Sequence, residues 1–285
     1  MTHILALSSW VAHGHVGLSA AAPVLQAFGH RVTQLPTVQL SNHAGFPHVA
    51  GRATDVETLA GMCDALDRNG WLDDVDAVLT GYMPGADHVA FAARLIDRLA
   101  ATGPRVIVDP VLGDHPRGLY IAPEAAEAIR DTLLPRADVL TPNLFELSWL
   151  AGRAVDTLRA AQEAARDIAS GTAEVLVTSP PLGPAETGVL SVTRDAAMLW
   201  RTDRLTETAA VPHGVGDVFS ALIAADLSVG AALGHLRALI DQSLHAPHLA
   251  IAEAAPIWRA AEPIHADASA LLTGQAPLTG TSETR

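Results

Sequence analysis

The sequence predicts an α/β fold in which helices cover both faces of a central, mostly parallel sheet. Two observations carry this. Short apolar runs such as Val106-Ile107-Val108 alternate along the chain with longer stretches rich in Ala and Leu. Strands buried on both faces and joined by helices leave that pattern. Polar residues also follow the apolar runs directly: Ser9, Gly81-Tyr82, Asp109, Thr141 with Asn143, and Thr178-Ser179. Ligands of a parallel sheet sit beyond the carboxyl ends of its strands, so these residues are the candidates for chemistry.

Taken in order, Ile4 to Ser8 reads as a buried strand. Leu18 to Phe28 reads as a helix stopped by Gly29, whose freedom at positive φ suits a helix end. Arg31 to Leu40 is a second strand region, Val56 to Arg68 a helix, and Ala77 to Thr80 a short apolar strand. Ala86 to Ala100 is helical and stops before Gly103-Pro104. Val106 to Val108 is a strand that runs straight into Asp109-Pro110. Pro123 to Leu134 is a helix, with proline near its first turn where a missing N–H costs nothing. Val139-Leu140 is a strand, Leu144 to Leu150 and Leu158 to Ala169 are helices, and Glu174 to Thr178 is a strand. Gly188 to Val192 and Met198 to Arg201 make a hairpin, and Val215 to Leu227 and Ala231 to His245 are the last helices. There is no internal repeat and no linker rich in Gly, Pro or Ser. Residues 1–272 therefore read as one domain, and 273–285, small and polar, as a disordered tail.

The chain has 285 residues, 49% hydrophobic and 17% charged, enough for a large core. Its net charge of −13 repels phosphate backbones and argues against nucleic acid as a partner. Every strong base is an arginine, so no lysine of the P-loop kind is available to grip a phosphate. With one cysteine, Cys63, no internal disulfide forms, and a zinc site built on cysteines is not expected. The N-terminus lacks the basic flank and apolar run of a signal peptide, and no apolar stretch approaches the ~20 residues of a membrane span. A cytoplasmic setting, away from membranes, is the expectation.

The strongest chemical segment is Pro212-His213-Gly214-Val215-Gly216-Asp217, followed by the apolar run Val218 to Leu222. Two glycines at a helix start let backbone N–H groups turn inward together, where the helix adds positive potential: an anion site suited to phosphoryl oxygens. Asp217, in the first turn, is placed to take a proton from an attacking hydroxyl. A tight turn with an ordinary first-turn acid is the plain alternative on this segment alone. In Asp109-Pro110-Val111-Leu112-Gly113-Asp114, two carboxylates on a loop after a strand offer oxygen ligands to a hard cation, or simply face solvent. Asn143 and Glu146, three apart, read both as a capping box and as an amide and carboxylate able to reach Mg²⁺ through water. His13 and His15 sit in a glycine-bearing loop without a clear third ligand. Thr37 to His43 offers an amide, hydroxyls and an imidazole that would grip a heteroaromatic alcohol, or is an ordinary polar strand end.

Together these segments resemble the pyridoxal kinases of the ribokinase-like superfamily. The resemblance runs in order through Ser9 with Gly14 and Gly17, Thr37 to His43, Thr80-Gly81-Tyr82, Asp109 to Asp114, Gly118-Leu119-Tyr120, Thr141 to Glu146, Thr178-Ser179 and Gly214 to Asp217. It implies a ribokinase-like fold and the following roles. Asp217 would deprotonate the 5′-hydroxyl of pyridoxal, which attacks the γ-phosphate of ATP, while Gly214, Val215 and Gly216 form the anion hole. Ser9, Val16, Thr37, His43 and Tyr82 would line the pyridine pocket. Asp109, Asp114, Tyr120, Thr141, Asn143, Glu146, Thr178 and Ser179 would serve ATP, with Asp114 and Glu146 holding Mg²⁺ directly or through water. Asp109, Thr141 and Thr178 match positions that place a monovalent cation, K⁺, or phosphate oxygens. Gly113 to Tyr120 matches a flap over both substrates, and a homodimer is typical. The chain departs from the family at Leu18, where Asn is frequent, at Val215, where Thr is frequent, at Leu119, where some members carry Cys, and at Pro180-Pro181. Two other readings are a kinase for another hydroxymethyl heterocycle, such as a pyrimidine, and a non-catalytic B6-binding protein on the same scaffold.

Overall fold

The computed structural model describes residues 1–169, 173–205 and 210–267; the expected tail at 273–285 lies outside them. In chain order the elements are β1 (His3–Val11), α1 (Leu18–Ala27), β2 (Arg31–Leu40), β3 (Gly51–Ala53), α2 (Val56–Arg68), β4 (Ala77–Thr80), α3 (Ala86–Leu99) and β5 (Arg105–Val108). Then come β6 (Gly113–Asp114), β7 (Gly118–Leu119), α4 (Pro123–Ala128), β8 (Val139–Leu140), α5 (Leu144–Leu150), α6 (Leu158–Ile168), β9 (Glu174–Thr178), β10 (Glu186–Val192) and β11 (Ala197–Asp203). Helices α7 (Val215–Ala224), α8 (Val229–Ser243) and α9 (Ala255–Trp258) follow.

The main sheet has the strand order β11-β10-β9-β8-β5-β4-β1-β2-β3. Its interior pairs are parallel, and β3, β10 and β11 add antiparallel edges. Because side chains alternate along a strand, each strand feeds two apolar layers. Leu5, Leu7, Val78, Val106 and Val108 face one layer with α2 to α6. Ile4, Ala6, Ala77, Leu79 and Ile107 face the other, with α1, α7, α8 and α9. Ile107 is wholly buried, and truncating it to Ala would cost about 2–5 kcal/mol.

The register aligns the carboxyl ends: Leu7 lies opposite Thr80, Thr80 opposite Val108, and Val108 opposite Leu140. The polar residues after these strands therefore gather along one rim. The pairing of β1 with β2 skips Thr37, since Ser8 lies opposite Pro36 and Ser9 opposite Val38. Thr37 is thus the extra residue of a β-bulge, which re-aims its side chain.

The fold class is the expected one, with local differences. The helix expected over Pro123 to Leu134 is α-helical only to Ala128; a π turn over Ile129–Leu133 and a 3-10 turn over Leu134–Arg136 follow. Pro135 has no N–H to continue the α pattern. Helix α7 ends at Ala224 rather than Leu227, with Asp226 at a φ of 61°. Four short elements were not expected: strand β3, the paired strands β6 and β7, and helix α9.

Candidate active site

The turn before α7 is built by steric necessity. Gly214 has a φ of 100°, and a Cβ there would lie 2.0 Å from the carbonyl oxygen of His15. Only glycine fits. A Cβ on Gly216 would meet open space, so this face of the turn is clear for a ligand. Asp217 lies in the first turn of α7, and its carboxylate accepts a hydrogen bond from the N–H of Gly17. Gly17 is held there because its own backbone, with a φ of 54°, passes so near Ser9 that a Cβ would sit 2.2 Å from the Ser9 carbonyl oxygen. Burial pushes the Asp217 carboxyl up to about 6, partly offset by those backbone donors. A base so poised is ionised at neutral pH yet keeps a useful proton affinity.

Beneath Asp217 a buried polar chain crosses between α7 and the sheet. Ser220 Oγ lies 2.7 Å from Asp109 Oδ2, 3.0 Å from the Gly216 carbonyl oxygen and 2.9 Å from Thr141 Oγ1. Desolvation, with the charges of Glu146 and Asp217, holds the Asp109 carboxyl well above its usual range. Ser220 Oγ–H donates to Asp109 Oδ2, with the Gly216 carbonyl oxygen also in reach, and Thr141 Oγ1 shares the contact, so these buried polar groups find partners in one another. Asp109 and Thr141 are thus committed to Ser220, while Thr178 lines a separate cavity. The residues matched to a monovalent cation are divided in this way.

Asn143 and Glu146 form the capping box of α5: Asn143 Oδ1 accepts from the Glu146 N–H at 3.0 Å, and Glu146 Oε2 accepts from the Asn143 N–H at 2.9 Å. Glu146 Oε1 also accepts from the Leu112 N–H at 2.8 Å, and the Gly113 N–H reaches the same carboxylate. Asn143 Nδ2 donates to the Gly113 carbonyl oxygen at 2.8 Å. This pair therefore clamps the base of the β6–β7 flap. Burial drives the Glu146 carboxyl up to about 7 against those donors, with the charge of Asp114 adding to the rise. With both oxygens engaged by backbone, Glu146 fits a metal only through water. Asp114 differs: its Oδ1 is buried without a hydrogen-bond partner, an unpartnered carboxyl oxygen of the kind that suits a hard cation.

Two cavities flank the glycine turn. One, of about 510 Å³, is lined by Ser9, Val16, His43, Tyr82, Asp114, Arg117, Tyr120, Gly214 and Asp217 among others. It brings together the pyridine-pocket residues of the sequence reading except Thr37. As the bulge residue, Thr37 is wholly buried and donates to the Tyr82 carbonyl oxygen at 2.7 Å, so it braces the wall from behind. His43 stacks on His213 with ring centroids 3.9 Å apart. Burial, then the charges of His213 and Arg117, lower the His43 imidazole to about 4, and burial and Arg117 lower His213 as well. His15 braces the opposite loop. Pro23 lacks the N–H that would occupy the Ser19 carbonyl in α1, and His15 Nδ1 donates to that oxygen at 2.9 Å.

The second cavity, of about 590 Å³, holds Asn143, Thr178, Ser179, Val215 and Gly216, with an apolar wall that includes Leu205, Val211, Leu233, Leu236 and Ile240. It joins amides and hydroxyls at the turn to an apolar slot. Of the residues expected to serve ATP, Asn143, Thr178 and Ser179 line this cavity. Asp114 and Tyr120 line the other, and Asp109, Thr141 and Glu146 lie beneath or beside the turn.

The sequence reading missed Gly17 as the donor to Asp217, Ser220 as the link beneath it, Arg117 on the flap, and the α8 residues of the apolar slot. Gly17 was visible only as a glycine in a loop. Ser220 was the polar interruption of an apolar helical run, a signal that was there to use.

Comparison with known proteins agrees with this fold. The sequence model of the phosphomethylpyrimidine kinase family matches residues 51–247. The chain is 39% identical over 236 residues to the pyridoxine/pyridoxal/pyridoxamine kinase of Bordetella avium, covering 81% of this chain and 79% of that protein. It is 35% identical over 235 residues to pyridoxal kinase PdxY of Granulibacter bethesdensis, covering 77% and 79%. The structure of pyridoxal kinase from Leishmania donovani in complex with ADP and pyridoxamine matches with a TM-score of 0.83 at 32% identity, over 93% of this chain and 98% of that one. The chain belongs to the pyridoxal kinases, in the ribokinase-like superfamily.

Proposed function

We propose that this chain, with residues 1–272 acting as one kinase domain, transfers the γ-phosphoryl group of ATP to the 5′-hydroxyl of pyridoxal. One observation carries the reading. Asp217 and Gly214 face the 510 Å³ cavity, while Val215 and Gly216 of the same turn face the 590 Å³ cavity. A hydroxyl held in the first cavity and a triphosphate held in the second meet at a general base and a row of backbone donors.

In the reaction, the proton of the 5′-hydroxyl passes to Asp217 as the oxygen forms a bond to the γ-phosphorus. The bond from that phosphorus to the bridging oxygen breaks, and ADP leaves. The turn from Gly214 to Gly216 presents N–H groups to the transferring phosphoryl oxygens, and the positive end of α7 adds to their effect. The flap base, fixed by Asn143 and Glu146, holds the β6–β7 hairpin over the acceptor and excludes water. Asp114, through its unpartnered oxygen, and Glu146, through water, would hold Mg²⁺, which would supply positive charge to offset that of the triphosphate. We assign no step to a monovalent cation. A homodimer and a cytoplasmic setting belong to the same proposal by resemblance, and no helix among the described residues is long and apolar enough to cross a membrane.

The test is an ATP-dependent phosphorylation assay on pyridoxal, pyridoxine, pyridoxamine and hydroxymethylpyrimidine. Turnover of a B6 vitamer is expected. Turnover confined to the pyrimidine would move the acceptor, and vitamer binding without ADP release would make the chain a binding protein.

A further inference from the structure

The acceptor cavity is short of positive charge. Asp217 and Asp114 line it, and Asp109 and Glu146 lie behind them. The upward displacement of three of these carboxyls has burial as its main cause, and their mutual repulsion adds to it for Asp109 and Glu146. A triphosphate brought to this place adds several negative charges more. Burial lowers the proton affinity of the lining imidazoles of His43 and His213, and the charge of Arg117 adds to it. The chain has no lysine, so Arg117 is the one permanent cation among the described residues lining the cavity.

Arg117 stands at the tip of the β6–β7 flap, between Asp114 and Gly118. It is exposed and, among the described residues, forms no ion pair. In contrast, Arg31, Arg98, Arg105 and Arg136 each rest on an aspartate elsewhere on the surface. It nevertheless lines the same cavity as His43, His213, Tyr120, Gly214 and Asp217. A planar fork of donors with no carboxylate to satisfy it suits phosphoryl oxygens.

We propose that Arg117 is a catalytic residue: carried by the flap, it binds the phosphoryl group in transit between ATP and the 5′-oxygen and offsets the charge that builds there. This rests on the kinase reading above. The bonds made and broken are those already described, and the arginine stays protonated throughout.

The test is Arg117→Gln beside Arg117→Lys, with pyridoxal and MgATP. Loss of a donor made for the transition state is expected to lower kcat about 10²–10³-fold, while both KM values stay within about threefold. Arg117→Lys is expected to recover part of that loss. ADP affinity, read by calorimetry, should not change, whereas the complex of ADP, aluminium fluoride and pyridoxal should weaken by about the factor lost from kcat. An unchanged kcat overturns the proposal. So does a loss carried by the pyridoxal KM, which would make Arg117 a partner of the acceptor's ring oxygen, or by ADP affinity, which would make it a ground-state nucleotide contact. Absence of turnover in the unaltered protein would sink the kinase reading itself, and so is distinguishable from either result.

Discussion

Ser220 Oγ stands 2.7 Å from Asp109 Oδ2, and that contact fastens helix α7 to the carboxyl end of strand β5. Ser220 lies one helical turn beyond Asp217, so the two share a face of α7. The proposed general base is thereby carried by a helix pinned to the sheet rather than by a free loop, which would hold its geometry for proton transfer.

Asp217→Asn removes the base while keeping the side chain's shape. The expected result is a fall in kcat of about 10²–10⁴-fold with ATP binding largely intact. In the unaltered enzyme kcat/KM should fall on the acid side with an apparent pKa near 6, the value to which burial raises Asp217. A pH–rate series on both proteins checks this. An acid limb that persists unchanged in the variant would assign it to another group.

The same carboxyl predicts a gain in stability. Its folded pKa of about 6 lies above the ordinary 3.8, so the folded state binds the proton more tightly than the unfolded state. The resulting penalty is fully present above pH 6, shrinks as pH falls through that value, and is gone below about 4. Asp217→Asn should therefore raise the Tm of the ligand-free protein at pH 8. At pH 4 the two melting curves should nearly coincide.

Ser220→Ala leaves Asp109 and Thr141 without their shared partner in a buried place. Unfolding in urea should show a loss of about 1–3 kcal/mol. The kinetic cost is expected to be smaller than that of Asp217→Asn, because Ser220 positions α7 and does not touch substrate.

Gly214→Ala tests the turn. The new methyl would lie 2.0 Å from the His15 carbonyl oxygen, on a backbone at a φ of 100°. A loss of about 2 kcal/mol or more is expected, read by thermal melting. Gly216→Ala, whose methyl meets open space, should melt as the parent does.

How much of this was legible in the sequence depended on whether the signal was local. Asn143 and Glu146 were readable because a capping box is a spacing of three, and Asp217 because glycines mark a helix start. Thr37 was misplaced because a one-residue bulge is a property of two strands together, and β2 alone gives no sign of it. Leu233, Leu236 and Ile240 went unseen because the wall of a slot and the core face of a helix are written with the same residues. Arg117 carries no local signal, being one loop arginine among many; only the hairpin brings it to the cavity that Asp114 and Asp217 also line.

The single turn that divides the two cavities also limits how the enzyme can be timed. In the proposed reaction acceptor and donor meet across a few backbone atoms, and Asp217 lies on the acceptor side as a base. The phosphate would then pass hand to hand without being parked on the protein, and both reactants would have to be aboard together. Double-reciprocal plots should intersect rather than run parallel, and neither substrate alone should yield a labelled protein.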